Sequence, residues 1–154
     1  MKHKDITVAG VDELKDGEMK QVDAGGTNIL VARVNGKYHA VGATCPHYGG
    51  PLAEGALCGE RVICPWHHAT FDVKTGDLLE PPAFDALPRY EVKIEGESVI
   101  VAVPDEAEDR RTPPMAKRDA RQDERVFVIL GGGAAGYMAA QTLREEGFRG
   151  RVLM

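Results

Sequence analysis

Through roughly the first two thirds of the chain, short runs alternate apolar and polar residues and end at turn residues. Alternation of period two puts successive side chains on opposite faces of a strand, so these runs predict half-buried strands and not helices. Residues 29–34 and 37–41 flank Asn35-Gly36, a pair that tolerates the positive φ a type I′ hairpin turn requires. Residues 90–94 and 98–103 flank Glu95-Gly96-Glu97 and read as a second hairpin. Two loops rich in Gly, Pro, Cys and His lie between the hairpins. The pattern predicts a mainly β domain over residues 1–104.

The alternation stops at residue 105. From Asp105 to Arg125 there are 13 charged residues among 21, Pro113-Pro114 in the middle, and only Met115 as a large apolar side chain. Such a composition cannot bury enough apolar area to fold alone, so residues 105–125 are expected to be an interdomain linker. As a flexible chain it would span roughly 25 Å end to end.

Beyond it the period changes. Val126-Phe127-Val128-Ile129-Leu130 reads as a buried strand, Gly131-Gly132-Gly133-Ala134-Ala135-Gly136 as a G-x-G-x-x-G turn, and the residues to about Glu146 as a helix with Ala135, Ala139 and Leu143 on one face. Gly147 is expected at the C-cap, and residues 151–154 begin another strand. Gly131, Gly133 and Gly136 would let backbone approach a pyrophosphate at a helix N-terminus, where free N–H groups favour anions. The alternative is a merely structural βα turn. The acidic residue that would bind a ribose falls at or past Met154, so residues 126–154 read as the truncated start of an FAD- or NAD(P)-binding Rossmann domain.

Composition narrows the class. The chain has 154 residues, 43% hydrophobic content and a net charge of −5, which suits an ordinary globular domain with an appendage. Residues 1–104 hold 10 Lys+Arg against 15 Asp+Glu, and residues 105–154 hold 9 against 9, so the first part carries the whole excess. An acidic surface argues against nucleic acid and suits a basic redox partner. The N-terminus leads into no long apolar stretch, so neither a secretory signal nor a membrane anchor is expected; with unpaired cysteines, a cytoplasmic location is.

The chemistry sits in the two loops. Cys45 and His47 are spaced C-x-H, Cys64 and His67 are spaced C-x-x-H, and sixteen residues separate the pairs. Two thiolates and two imidazoles in mixed pairs can hold a [2Fe–2S] cluster, with sulfur ligands on one iron and nitrogen ligands on the other. A structural zinc site is the competing reading, although such sites usually group like ligands as C-x(2–4)-C and H-x(3–5)-H. Neutral imidazoles in place of two thiolates leave the reduced cluster less negative and raise its potential. Gly49 and Gly50 allow close backbone approach, and Pro46 and Pro65 stiffen the loops. His68 is read as lining its loop, His3 and His39 as surface or strand residues, and Cys58 as a buried or inert thiol.

The segments Cys45-Pro46-His47-Tyr48-Gly49-Gly50-Pro51-Leu52 and Cys64-Pro65-Trp66-His67-His68-Ala69-Thr70-Phe71-Asp72 closely resemble the cluster-binding loops of Rieske ferredoxin domains. The resemblance implies the Rieske fold, an antiparallel β-sandwich or barrel-like base with an inserted cluster-binding subdomain. It further implies that Leu79-Glu80-Pro81-Pro82-Ala83-Phe84 is the loop shielding the cluster. High-potential members carry a bridging cysteine in each loop and a Ser and a Tyr whose hydroxyls bond the cluster sulfurs. The matching positions here are Gly50, Trp66, Ala69 and Phe71, so a potential at the low end of about −150 to +300 mV is implied. The order of β domain, charged linker and glycine turn resembles flavoprotein ferredoxin reductases of the apoptosis-inducing-factor-like group. That resemblance implies a fused flavin domain with FAD, reduced by NAD(P)H, in a longer product, and no FAD retained on residues 1–154. The alternative is a freestanding ferredoxin that hands electrons to a separate oxygenase or other acceptor. An oxygenase itself is not expected, because no domain with a triad of two His and a carboxylate is present.

Overall fold

In a computed structural model describing residues 2–154, ten strands lie within the first 111 residues: β1 (His3–Gly10), β2 (Met19–Asp23), β3 (Asn28–Val34), β4 (Lys37–Gly42), β5 (Ala56–Cys58), β6 (Arg61–Ile63), β7 (Thr70–Asp72), β8 (Leu78–Glu80), β9 (Arg89–Glu95) and β10 (Ser98–Pro104). Both hairpins form as the alternation predicts. Asn35 and Gly36 have φ of 53° and 73°, the type I′ geometry, and Val34 stands opposite Lys37. The second turn differs in kind: of its two central residues only Gly96, at 59°, has positive φ, which is the type II′ arrangement.

The strands form two antiparallel sheets, one in the order β1-β10-β9-β4-β3-β2 and the other β5-β6-β7-β8. The smaller sheet is an insertion. The chain leaves the larger sheet after Gly42 and rejoins it at Arg89, where Val41 pairs with Arg89 and Ala40 with Tyr90. Both Cys-His loops belong to the inserted part, so the larger sheet acts as a fixed base for them.

Strand β3 explains why insertion and base hold together. Leu30, Ala32 and Val34 point into a core shared with Cys45, Leu52, Val62, Cys64, Ala69, Phe71, Ala83 and Leu87. Their neighbours Ile29 and Val31 point into a second core with Val8, Tyr38, Tyr90, Val99 and Val101. One strand with apolar residues at successive positions therefore serves two cores, which its pattern of near-continuous burial reflects.

The charged stretch does not behave as one linker. The chain divides into two compact units between Arg111 and Thr112, not at residues 104 and 125. The end of the first unit is tied to it: Ala86 and Arg111 exchange backbone hydrogen bonds of 2.8 and 2.9 Å, the Arg111 guanidinium pairs with Asp77, and Arg110 lies 3.6 Å from Asp85. In the second unit the Ala116 N–H donates to the Arg144 carbonyl at 2.8 Å and that of Asp119 to the Arg149 carbonyl at 2.9 Å. Charge excluded these residues from a core of their own, but not from borrowing polar partners.

The second unit contains β11 (Val126–Val128), α1 (Ala134–Glu145) and β12 (Arg151–Leu153), with the two strands parallel and Phe127 opposite Val152. Strand β11 is exposed where burial was expected, because one helix and one neighbouring strand do not cover it; Val128 is 64% exposed. The helix ends one residue earlier than predicted, with Glu146 as C-cap and Gly147 following at φ 85°. Among the described residues no helix is long and apolar enough to cross a membrane.

Leu52 is fully buried directly after the first loop. Leu52→Ala should destabilise the first unit by about 2–5 kcal/mol in denaturant unfolding. Arg111→Ala should cost far less, yet speed proteolysis at residues 105–110. The Arg111 guanidinium holds Asp77 below the ordinary carboxylate range. The protection it gives is therefore present above about pH 4 and is lost as the pH falls further.

Candidate metal centre

The two loops share one backbone design. In the first, the Cys45 N–H donates to the Gly50 carbonyl at 2.9 Å, and the Gly49 N–H returns to the Cys45 carbonyl at 2.9 Å. In the second, the Cys64 N–H donates to the Ala69 carbonyl at 2.9 Å, and the His68 N–H to the Cys64 carbonyl at 3.2 Å. Each turn needs a left-handed residue at its fifth position, supplied by Gly49 at φ 79° and by His68 at φ 64°. A non-glycine residue there is uncommon, and the Thr70 hydroxyl, donating to the His68 carbonyl at 3.1 Å, helps to hold it. That explains His68 better than any ligand role: its backbone conformation, not its ring, is what the loop uses.

Within this frame the four donors sort by depth. Cys45 and Cys64 are each 1% exposed in the core beneath the loops, His47 is half-buried, and His67 is exposed. Burial pushes the Cys45 thiol up to about 11, and the facing Cys64 adds to this; the peptide N–H groups of His47 and Tyr48 point at its sulfur and pull the other way. Those same N–H groups would stabilise a bound thiolate. The rings of His47 and His67 stand 4.8 Å apart at 83°. Burial, with the neighbouring His67, pushes His47 below the usual imidazole range and favours the neutral form that a metal needs.

These residues fit a two-metal cluster. The Nδ1 atom of His47 is buried and has no hydrogen-bond partner among the described residues, as an atom reserved for a metal would be. The donors also come as two pairs. Gly50 completes the pocket, since a Cβ there would lie 2.7 Å from the Cys64 Sγ.

Two aromatic residues stand at the centre, Tyr48 with no role assigned from the sequence and Trp66 noted there only as the place of a missing bridging cysteine. Tyr48 is 71% exposed, packs edge-on against His47 at 4.5 Å and lies 5.7 Å from His67. Trp66 is 54% exposed and lies against Gly50. Large apolar rings at the tips of otherwise small-residue loops were the available signal. Ala69 and Phe71 are fully buried in the core that holds the two cysteines, and Ala83 of the proline loop joins them there. Cys58 lies apart and is exposed on β5, so of the reading of it as buried or inert the burial does not hold: the short strand turns that side chain outward. His3 is exposed on β1, and His39 is half-buried on β4.

The glycine turn lies in the second unit. Gly131 has φ 108°, Gly133 is the N-cap of α1 with no side-chain cap, and a Cβ on Gly136 would collide with the Gly131 carbonyl. Nothing lies within 4 Å of the Cβ positions of Gly131, Gly132 or Gly133, so the approach to the helix N-terminus is open.

Fold and centre together define an iron–sulfur electron-transfer domain. Residues 4–91 match the family described as Rieske [2Fe-2S] domain. Apoptosis-inducing factor 3 of Mus musculus is 42% identical over 156 residues, taking in 97% of this chain and 26% of its own length, so the chain spans about a quarter of that relative. The ferredoxin component of the alkene monooxygenase system of Xanthobacter autotrophicus is 36% identical over 97 residues, or 62% of this chain and 79% of that one. A solved complex of reduced oxygenase and oxidized ferredoxin in carbazole 1,9a-dioxygenase contains a chain 30% identical to this one, with TM-score 0.63, covering 68% of this chain and 97% of that chain. This chain belongs to the Rieske [2Fe-2S] domain family, and its activity is electron transfer through a [2Fe–2S] cluster.

Ala69→Ser and Phe71→Tyr should each raise the midpoint potential by supplying a hydroxyl near the cysteine sulfurs. A hydrogen bond worth about 1 kcal/mol more to the reduced state corresponds to about 40 mV for one electron. Voltammetry on the two variants measures the shift.

Proposed function

We propose that Cys45 and Cys64 bind one iron and His47 and His67 the other, in a low-potential centre whose exit is the histidine side. The buried, unpartnered Nδ1 of His47 beside the His67 ring carries this reading. When bound, the cluster supplies a one-electron acceptor and donor. The chain's residues do the rest. The buried cysteines keep water from the sulfur side, the loop hydrogen bonds hold the donors rigid, and His67 brings an imidazole edge to the surface where an acceptor docks. A redox partner such as an oxygenase suits this exit, and a cytoplasmic setting suits the unpaired cysteines. Protein from anaerobic preparation should carry about two irons and two sulfides per chain and give a Rieske-type EPR signal when reduced. His47→Ala and His67→Ala should abolish the signal, while His68→Gly should keep it. Stoichiometric zinc in place of iron would reject the assignment.

The same reading extends to the whole protein: residues 126–154 are the start of a dinucleotide-binding domain, and the longer product is an FAD-dependent NAD(P)H oxidoreductase that feeds the cluster. Support comes from the open glycine turn at α1 and from the similarity along nearly the entire chain to apoptosis-inducing factor 3. The ferredoxin relatives favour a second reading, a freestanding carrier to a separate oxygenase. Residues 1–154 should accept electrons at the cluster but neither retain flavin nor oxidise NADH, and the longer product should do both. Gly133→Val in the longer product should remove the flavin spectrum by blocking backbone approach to the pyrophosphate. A longer product without flavin leaves the freestanding carrier.

A further inference from the structure

The two loops meet at a contact that no ligand makes. A Cβ built on Gly50, the residue that closes the first loop, would lie 3.4 Å from Cδ2 and 3.5 Å from Cγ of Trp66 in the second, and 2.7 Å from the Cys64 Sγ. The indole therefore lies over the Gly50 backbone, with the cysteine sulfur on the adjoining side. Gly50 is buried and Cys64 is 1% exposed, although Trp66 itself keeps 54% of its surface in water. A ring so exposed contributes little to the core; its inner face covers the seam between the loops. Trp66 stands one residue from His67 and two from Cys64, so a ring held on the opposite loop restrains both donors at once.

We propose that Trp66 is a positioning residue, an inter-loop latch whose indole closes over Gly50, keeps water from the Cys64 side of the centre and holds the second loop against the first. The latch rests on the assignment of the cluster to Cys45, His47, Cys64 and His67. The missing side chain at Gly50 leaves room for the Cys64 sulfur, which a Cβ would crowd at 2.7 Å, while the indole rests at ordinary contact distance over the same backbone. Opening the latch admits water to the thiolate side, and water stabilises the more negative, reduced form, so the midpoint potential rises as cluster retention falls.

The experiment compares Trp66→Ala, Trp66→Phe and Trp66→Leu with the wild-type chain, following cluster bleaching under a ferrous chelator and the midpoint potential by voltammetry. A wild-type chain without any iron–sulfur spectrum defeats the ligand assignment; the latch is judged on the variants of a chain that has one. Trp66→Ala should bleach about fivefold faster as the apolar cover over Gly50 is lost, and its potential should move upward. Trp66→Phe, which keeps a flat ring over Gly50, should restore both within about twofold. Trp66→Leu, apolar but not flat, should fall between them and serves as the test if the alanine variant does not fold. Bleaching and potential at the wild-type level in the Ala or Leu variant overturn the proposal. So does a loss that Phe fails to restore.

Discussion

The fold depends on one strand that faces two ways. Strand β3 places Leu30, Ala32 and Val34 beneath the cluster loops and Ile29 and Val31 in the core of the base, so from Ile29 to Ala32 it has no solvent face. A register slip of one residue would exchange the two sets and displace both cores together. The Asn35-Gly36 turn fixes that register. The rigidity of the metal centre is inherited from it, because Cys45 and Cys64 sit in the core that Leu30, Ala32 and Val34 line.

The centre separates two demands within a few residues of chain. Thiolates near iron gain from a dry, low-dielectric setting with peptide N–H groups aimed at sulfur, whereas an electron must leave through something near the surface. Equivalent turns meet both demands by offering donors at different depths, cysteine at the root and histidine at the tip. The ring at the third position of one turn is His47 and of the other Trp66; at the fourth they are Tyr48 and His67. At these two positions each turn thus presents one imidazole and one larger aromatic ring, and His47 and Tyr48 meet His67, and Trp66 meets Gly50, across the loops.

Much of this was legible in the sequence. The hairpins follow from alternation and turn chemistry, and the mixed Cys-His pairs with Gly and Pro are a pattern that few other chemistries need. The parts that were not legible depend on distant partners. Arg111 reads as one more charge in a polar run, and only the fold reveals that Asp77 and Ala86 wait for it. His68 beside His67 looks like a spare ligand, while its use is a left-handed backbone turn. Strand β11 has the composition of a buried strand, but burial is a property of what lies on either side, and composition cannot supply that. The exposure of Cys58 was hidden for a related reason, since a three-residue strand gives too little alternation to tell inside from outside.

The tie between Arg111 and the body of the first unit bears on how such domains are joined to others. The family match ends at residue 91, short of the structural closure that Arg111 makes with Ala86, so the portable piece is longer than the family's recognisable span. A gene fusion or excision that respected only the recognisable span would strip Asp77 of its cation and leave the Ala86 peptide groups to water. One that carried the chain through Arg111 would transplant a β domain with its own fastening, ready to be spliced to another protein.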